Sequence, residues 1–203
     1  MKYQSIVLEG GEGCGKSTIA RMMKEDFEKS GLNAVFFREP GGTAIGEQIR
    51  NIILDKKNLE MTPECEMMLF AAARSQNLRQ NVFPMLHAGK IVVLDRFVES
   101  SYVYQGHARG IGMDKVITAN ELVLCGWQPD ITIFLDIEPE VAMERIISNH
   151  RETNRIDLEK MSFMHKVREG YLLRAKENPS YRIINAVGTP EEVYARVKEV
   201  LMT

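Results

Sequence analysis

The stretch LEGGEGCGKST, residues 8–18, constrains the fold of this chain more than any other. Its frame, Gly10-x4-Gly15-Lys16-Ser17, sits between a short apolar run (5–9) and an amphipathic one (16–29). A glycine loop from strand to helix can turn successive backbone N–H groups onto one anion, and the helix N-terminus adds partial positive charge. Lys16 then reaches the β- and γ-phosphates of a nucleotide, and the Ser17 hydroxyl can ligate Mg²⁺. The expected cradle comprises Gly10, Gly11, Glu12, Gly13, Cys14, Gly15, Lys16, Ser17 and Thr18. Cys14 reads as a small space-filler. Glu12 is out of place among groups that attract phosphate, so it should point away from the ATP side.

Four further apolar runs resemble the first: AVFFR (34–38), IVVLD (91–95), ITIFLD (131–136) and RIINA (182–186). They are rich in Val, Ile and Phe with little polar alternation, as in strands covered on both faces. Helical patterns separate them, over 43–54, from Thr62-Pro63-Glu64 to about His87, from Asp114 to about Cys125, from Pro139 to about Asn149, from Asp157 to about Glu177, and from Pro190 onward. This alternation predicts an α/β fold in one domain (1–203), with a five-stranded parallel sheet and helices on both faces. Ligands are then expected at the carboxyl ends of the strands.

With 203 residues and 44% hydrophobic content, the chain can bury a sizeable core. A net charge of −2 gives no bulk attraction to nucleic acid or to a membrane surface. The N-terminal apolar run is too short for a signal or a span. Three cysteines, an odd number without a C-x-x-C pair, argue against a disulfide framework or zinc site. A cytoplasmic protein is expected.

A phosphate loop serves switches, motors and kinases alike. No Asn-Lys-x-Asp run reads guanine here, and the chain is short for a motor. Asp95 and Arg96 end the third apolar run. Asp95 can hold Mg²⁺ through water, and Arg96 can fork onto an acceptor phosphate, although the two could also be a structural ion pair. NHRETNR (149–155) carries Arg151 and Arg155 four residues apart. The segment reads either as a solvated helix end or as a lid (about 148–156) whose arginines close on the transferring phosphoryl group.

Several blocks together resemble bacterial thymidylate kinase: EGGEGCGKST, REPGGT (38–43), LFAAAR (69–74), DRFVESSYVYQGHARG (95–110), PDITIFLD (129–136), NRID (154–157) and REGYL (168–172). The resemblance implies a P-loop kinase fold with sheet order 2-3-1-4-5, usually as a homodimer. It implies transfer of the ATP γ-phosphoryl group to dTMP, giving dTDP for dTTP synthesis, with Mg²⁺. It assigns Phe70 to stack on thymine, Arg74 to bond its O4 side and Gln105 to contact the base. Arg96 and Arg38 would place the acceptor phosphate, with Arg50 and Ser101 near the nucleotide. Tyr104 would sit beneath the sugar and exclude a ribose 2′-OH, and Glu12 would accept a hydrogen bond from the 3′-OH. Adenine would lie near residues 185–188.

Phe70 and Arg74 are four apart on an expected helix and so share a face, although Phe70 alone could equally be core. Two positions depart from the family pattern: Phe97 replaces the usual tyrosine, and Val103 replaces alanine. Gly13 after Glu12 matches the variant that keeps its catalytic arginines, here Arg151 and Arg155, in the lid. The expected catalytic set is Lys16, Asp95, Arg96, Arg151 and Arg155, with Ser17 and Asp95 for the metal. Another nucleoside monophosphate or deoxynucleoside kinase, or a non-catalytic nucleotide-binding regulator, stays open on these residues.

Overall fold

The structure is a computed structural model and describes residues 2–148 and 154–202. Five parallel strands, β1 (Ser5–Glu9), β2 (Ala34–Arg38), β3 (Ile91–Asp95), β4 (Ile131–Asp136) and β5 (Tyr181–Asn185), form one sheet in the order β2-β3-β1-β4-β5. This is the expected order. The helices are α1 (Lys16–Lys29), α2 (Ala44–Leu54), α3 (Pro63–Asn77), α4 (Phe83–His87), α5 (Val98–Ser101), α6 (Met113–Leu124), α7 (Pro139–Ser148), α8 (Met161–Glu177) and α9 (Pro190–Met202).

Successive strand residues point to opposite faces, and both faces are covered. Ile6 and Leu8 of β1 pack with Ile19 and Met23 of α1 and Val197 of α9. Val7 between them joins Val92, Leu94, Phe97 and Val116 on the other face. Ile6 lies beside Val93 on one neighbour and Ile131 on the other. This register leaves the carboxyl ends of β1, β3 and β4 side by side.

The helix expected over 62–87 is not uniform. It begins where expected, with Thr62 Oγ1 accepting from Cys65 N at 3.3 Å. A π-helical turn over Leu78–Val82 then divides α3 from α4. Pro84 lacks an N–H and its ring crowds the preceding turn, so the wider turn relieves the conflict. Helix α5 and a second π-helical segment, Tyr102–Ala108, occupy a stretch to which the sequence pattern assigned no element. The expected helix from Asp157 is a short 3-10 turn, Ile156–Leu158, followed by α8. Of the expected lid, residues 149–153, including Arg151, lie outside the described residues.

Candidate active site

A cavity of about 640 Å³ opens at the carboxyl ends of the strands. Its walls include Glu12 to Thr18 after β1, Arg38 to Pro40 after β2, Asp95 and Arg96 after β3, and Ala186 and Gly188 after β5. Phe70, Ser101, Tyr104 and Gln105 form part of its wall.

The loop is shaped from within. Lys16 is buried, and its Nζ donates to the carbonyls of Gly10 at 2.9 Å and Gly11 at 3.0 Å. Among the described residues, its third proton meets only Cys14 Sγ at 3.6 Å, a weak acceptor that a phosphate oxygen would displace. Cys14 is buried in the core, as a space-filler should be. Gly13 adopts φ +75, and a Cβ there would stand 2.4 Å from the Ala142 carbonyl of α7. A side chain at residue 13 is thus excluded by both backbone conformation and packing.

Arg96 turns sharply out of β3 at φ 69, the left-handed region that non-glycine residues seldom enter. That turn puts its Nη2 2.5 Å from Glu12 Oε1 and its guanidinium carbon 5.2 Å from the centre of the Tyr104 ring. Its Nη1 donates to Ser100 Oγ at 3.2 Å and Tyr171 Oη at 3.3 Å. Beneath them Glu9 is fully buried. It accepts from Phe97 N at 2.9 Å, Ser100 N at 3.1 Å, Ser100 Oγ at 2.7 Å and Tyr171 Oη at 2.7 Å. Burial raises the Glu9 carboxyl above its ordinary range, against the pull of Arg96 and these hydrogen bonds.

Two more arginines line the same cavity. Arg50 donates to the Pro40 carbonyl at 2.9 Å, and Arg38 to Glu47 at 2.9 Å. Burial lowers the Arg50 pKa, and the repulsion of Arg38 and Arg96 adds to it, against Glu47 and Asp95. Guanidinium groups crowded this closely favour an anion among them.

Phe70, Ser101, Tyr104 and Gln105 all line the cavity. Arg74 does not. It is buried beneath the cavity, donating to Glu39 at 2.8 Å, Asn120 at 2.7 Å and Ser101 Oγ at 3.1 Å. The buried Glu39 carboxylate demands a counter-charge, and Arg74 supplies it. Arg155 likewise differs from a free lid arginine. It is buried, bonded to Glu66 and to the Ile53 carbonyl, while its neighbours Asn154 and Ile156 line the cavity.

The thymidylate kinase family model matches residues 8–197. The chain belongs to the thymidylate kinase family. It is 46% identical to a thymidylate kinase of Clostridium novyi (strain NT) over 198 residues, 97% of each chain. It is 43% identical to one of Geobacillus sp. (strain WCH70), covering 100% of this chain and 97% of that one. A solved thymidylate kinase structure from Ehrlichia chaffeensis superposes with a TM-score of 0.80 at 30% identity, over 98% and 97% of the two chains.

Within this thymidylate kinase fold, several polar residues around the site went unread in the sequence. Glu66 precedes Phe70 by four residues and Arg74 by eight, so the α3 face that revealed those two also carried Glu66. Glu9, Glu39 and Tyr171 gave no such signal, because their roles depend on burial. Arg145, which the sequence places at the base of the expected lid without a role, lines the cavity and donates to the Ala186 carbonyl at 3.1 Å, beside the segment expected to meet adenine.

Proposed function

We propose that this chain transfers the γ-phosphoryl group of ATP to dTMP, giving dTDP and ADP, as a single kinase domain. The observation that carries the proposal is the position of Arg96. It joins the phosphate loop, through Glu12, to the wall of Tyr104 and Gln105 in one continuous cavity. A phosphate-bearing acceptor and a nucleoside triphosphate can therefore meet there with the base against Phe70 and Gln105.

An acceptor phosphate oxygen attacks the γ-phosphorus in line, and the bond to the β–γ bridging oxygen breaks with ADP leaving. The attacking acceptor phosphate oxygen is already largely deprotonated near neutral pH, so no strong base is needed. Lys16 and the loop N–H groups neutralise charge on the donor, and Arg38, Arg50 and Arg96 hold the acceptor phosphate. Arg151, assigned from the sequence, would close from the lid. Arg145 offers a planar guanidinium against the donor base.

The residues present suit Mg²⁺. Ser17 and Asp95 both line the cavity, and the Asp95 carboxylate accepts no bond from the described residues. Mg²⁺ takes one or two protein oxygens and otherwise phosphates and waters, and no group of three acidic or His/Cys ligands occurs among the described residues. When bound, the ion would neutralise phosphate charge.

A homodimer fits the surface. Ile45 and Ile52 of α2 and Met68 of the adjoining α3 are exposed, an apolar strip that a second copy would cover. No helix among the described residues is long and apolar enough to cross a membrane. The three cysteines are free, which suits the cytoplasm.

Coupled ADP release with dTMP, dUMP, dCMP, dGMP and AMP tests the proposal. The fastest turnover is expected with dTMP. No ADP with any acceptor would favour a nucleotide-binding regulator, and a preference for a purine would overturn the base assignment.

A further inference from the structure

We infer that Glu66 sets the hydrogen-bond polarity of Gln105, and so makes the base pocket select a pyrimidine that donates at N3 over one that accepts there. This rests on the dTMP reading and adds to it a residue that need not touch the substrate.

Glu66 is 1% exposed at the start of α3. Its Oε1 accepts from Gln105 Nε2 at 2.7 Å and from Arg109 Nε at 2.8 Å. Its Oε2 accepts from Arg109 Nη2 at 3.1 Å and from Arg155 Nη2. Burial opposes its charge, but the Arg109 guanidinium, the Gln105 amide and Arg155 outweigh it and hold the carboxyl below its ordinary value. Glu66 is therefore ionised, and an ionised carboxylate has only acceptors.

That chemistry decides which way the Gln105 amide faces. Reversed, it would set its oxygen against a buried carboxylate, two acceptors with no proton between them. With the nitrogen held by Glu66, Oε1 is the end left for the cavity that Gln105 lines, and it accepts no bond from the described residues. Thymine and uracil donate at N3 and match it. Cytosine has no N3 proton for Oε1 and could pair only with the second Nε2–H, the one Glu66 does not hold, so it fits less well. The same carboxylate is anchored on its other side by Arg109, which also pairs with Glu159 at 2.7 Å, and by Arg155. Glu66 thus ties the base pocket to the stem that follows the lid.

Glu66→Gln replaces two acceptors by one acceptor and one donor, so the Gln105 amide can turn over. The ratio of kcat/KM for dCMP to that for dTMP should rise at least ~10-fold, the weight of about one hydrogen bond, with the dTMP loss mainly in KM. An unchanged ratio in a folded variant overturns the inference. Because Glu66→Gln also weakens buried ion pairs, a second measurement uses the unaltered protein. The Gln105 side-chain amide, assigned by its loss in Gln105→Leu, should show one proton shifted downfield and slow to exchange with solvent before dTMP is added. A freely exchanging amide overturns the inference even if the variant does not fold. Unaltered protein that is inactive on dTMP would instead overturn the functional proposal, leaving the ligand-free amide spectrum to decide this one.

Discussion

Glu12 Oε1 accepts from Arg96 Nη2 at 2.5 Å, across 84 residues of sequence. An anion inside a phosphate-binding loop thus has a structural partner, and that partner follows β3 on the cavity wall shared with Tyr104. Glu12 holds Arg96 in place, and under the proposed function it would also accept from the sugar hydroxyl of the acceptor.

Glu12→Ala should lower kcat/KM for dTMP by about 30-fold, the effect of losing about 2 kcal/mol from a partly buried charge-assisted bond. Glu12→Gln, which keeps an acceptor for Arg96, should lose less. With 3′-deoxy-dTMP the penalty of Glu12→Ala should shrink. Equal losses on both substrates would remove the hydroxyl contact and leave only the role in aiming Arg96.

Lys16→Met should cut turnover by ~10³ or more, since phosphoryl transfer depends on positioned charge. The lost bonds to the Gly10 and Gly11 carbonyls should lower the melting temperature modestly. Single-turnover kinetics with saturating ATP separates this from weakened binding. A nearly normal rate would sink the assignment of the loop.

Arg155→Ala should destabilise the fold by about 3 kcal/mol, because it leaves buried Glu66 with one partner fewer. Arg151→Ala should lower turnover and leave the urea midpoint unchanged. Measuring both midpoint and turnover distinguishes the two arginines. A stable Arg155→Ala variant would mean that Arg109 alone satisfies Glu66.

Glu9 gives a pH signature. Burial raises its carboxyl above the ordinary 4.5, so the folded chain holds that proton more tightly than the unfolded one. Its contribution to stability is complete below about pH 4.5 and is lost as pH rises through the folded-state value. Glu9→Gln does not titrate there. The unfolding free energy of wild type minus that of Glu9→Gln should therefore fall as pH rises from about 4 to about 8. Urea titrations across that range read it, and a flat or rising difference contradicts the assigned direction.

Ile52→Glu places a charge in the exposed strip on α2 without touching the core. Light scattering should give two chains for the unaltered protein and one for the variant. A single-chain mass before mutation would refute the homodimer.

The local parts of the fold were legible. The Gly-x4-Gly-Lys-Ser frame and the apolar runs gave the phosphate loop and all five strands, because each signal lies within a few consecutive residues. The helix over 62–87 was right in extent but hid a π-helical turn, since helical periodicity does not register one widened turn before Pro84. The segment 98–108, which carries Ser101, Tyr104 and Gln105, showed no clear period at all. Its residues were found through the family resemblance, and its helical form is held by packing against α6 and α8.

By itself, the sequence determined the fold class, the phosphate loop and the family, all encoded in short-range spacing. The tertiary structure decided which charged residues line the cavity and which are buried away from it in ion pairs. Arg74 and Arg155 carry the same guanidinium as Arg38 and Arg50. Arg74 nevertheless meets Glu39, 35 residues away, and Arg155 meets Glu66, 89 residues away. A buried carboxylate is costly without a counter-charge, so it claims the nearest arginine that the fold brings to it. That choice depends on three-dimensional neighbours, and no local pattern in the chain records it.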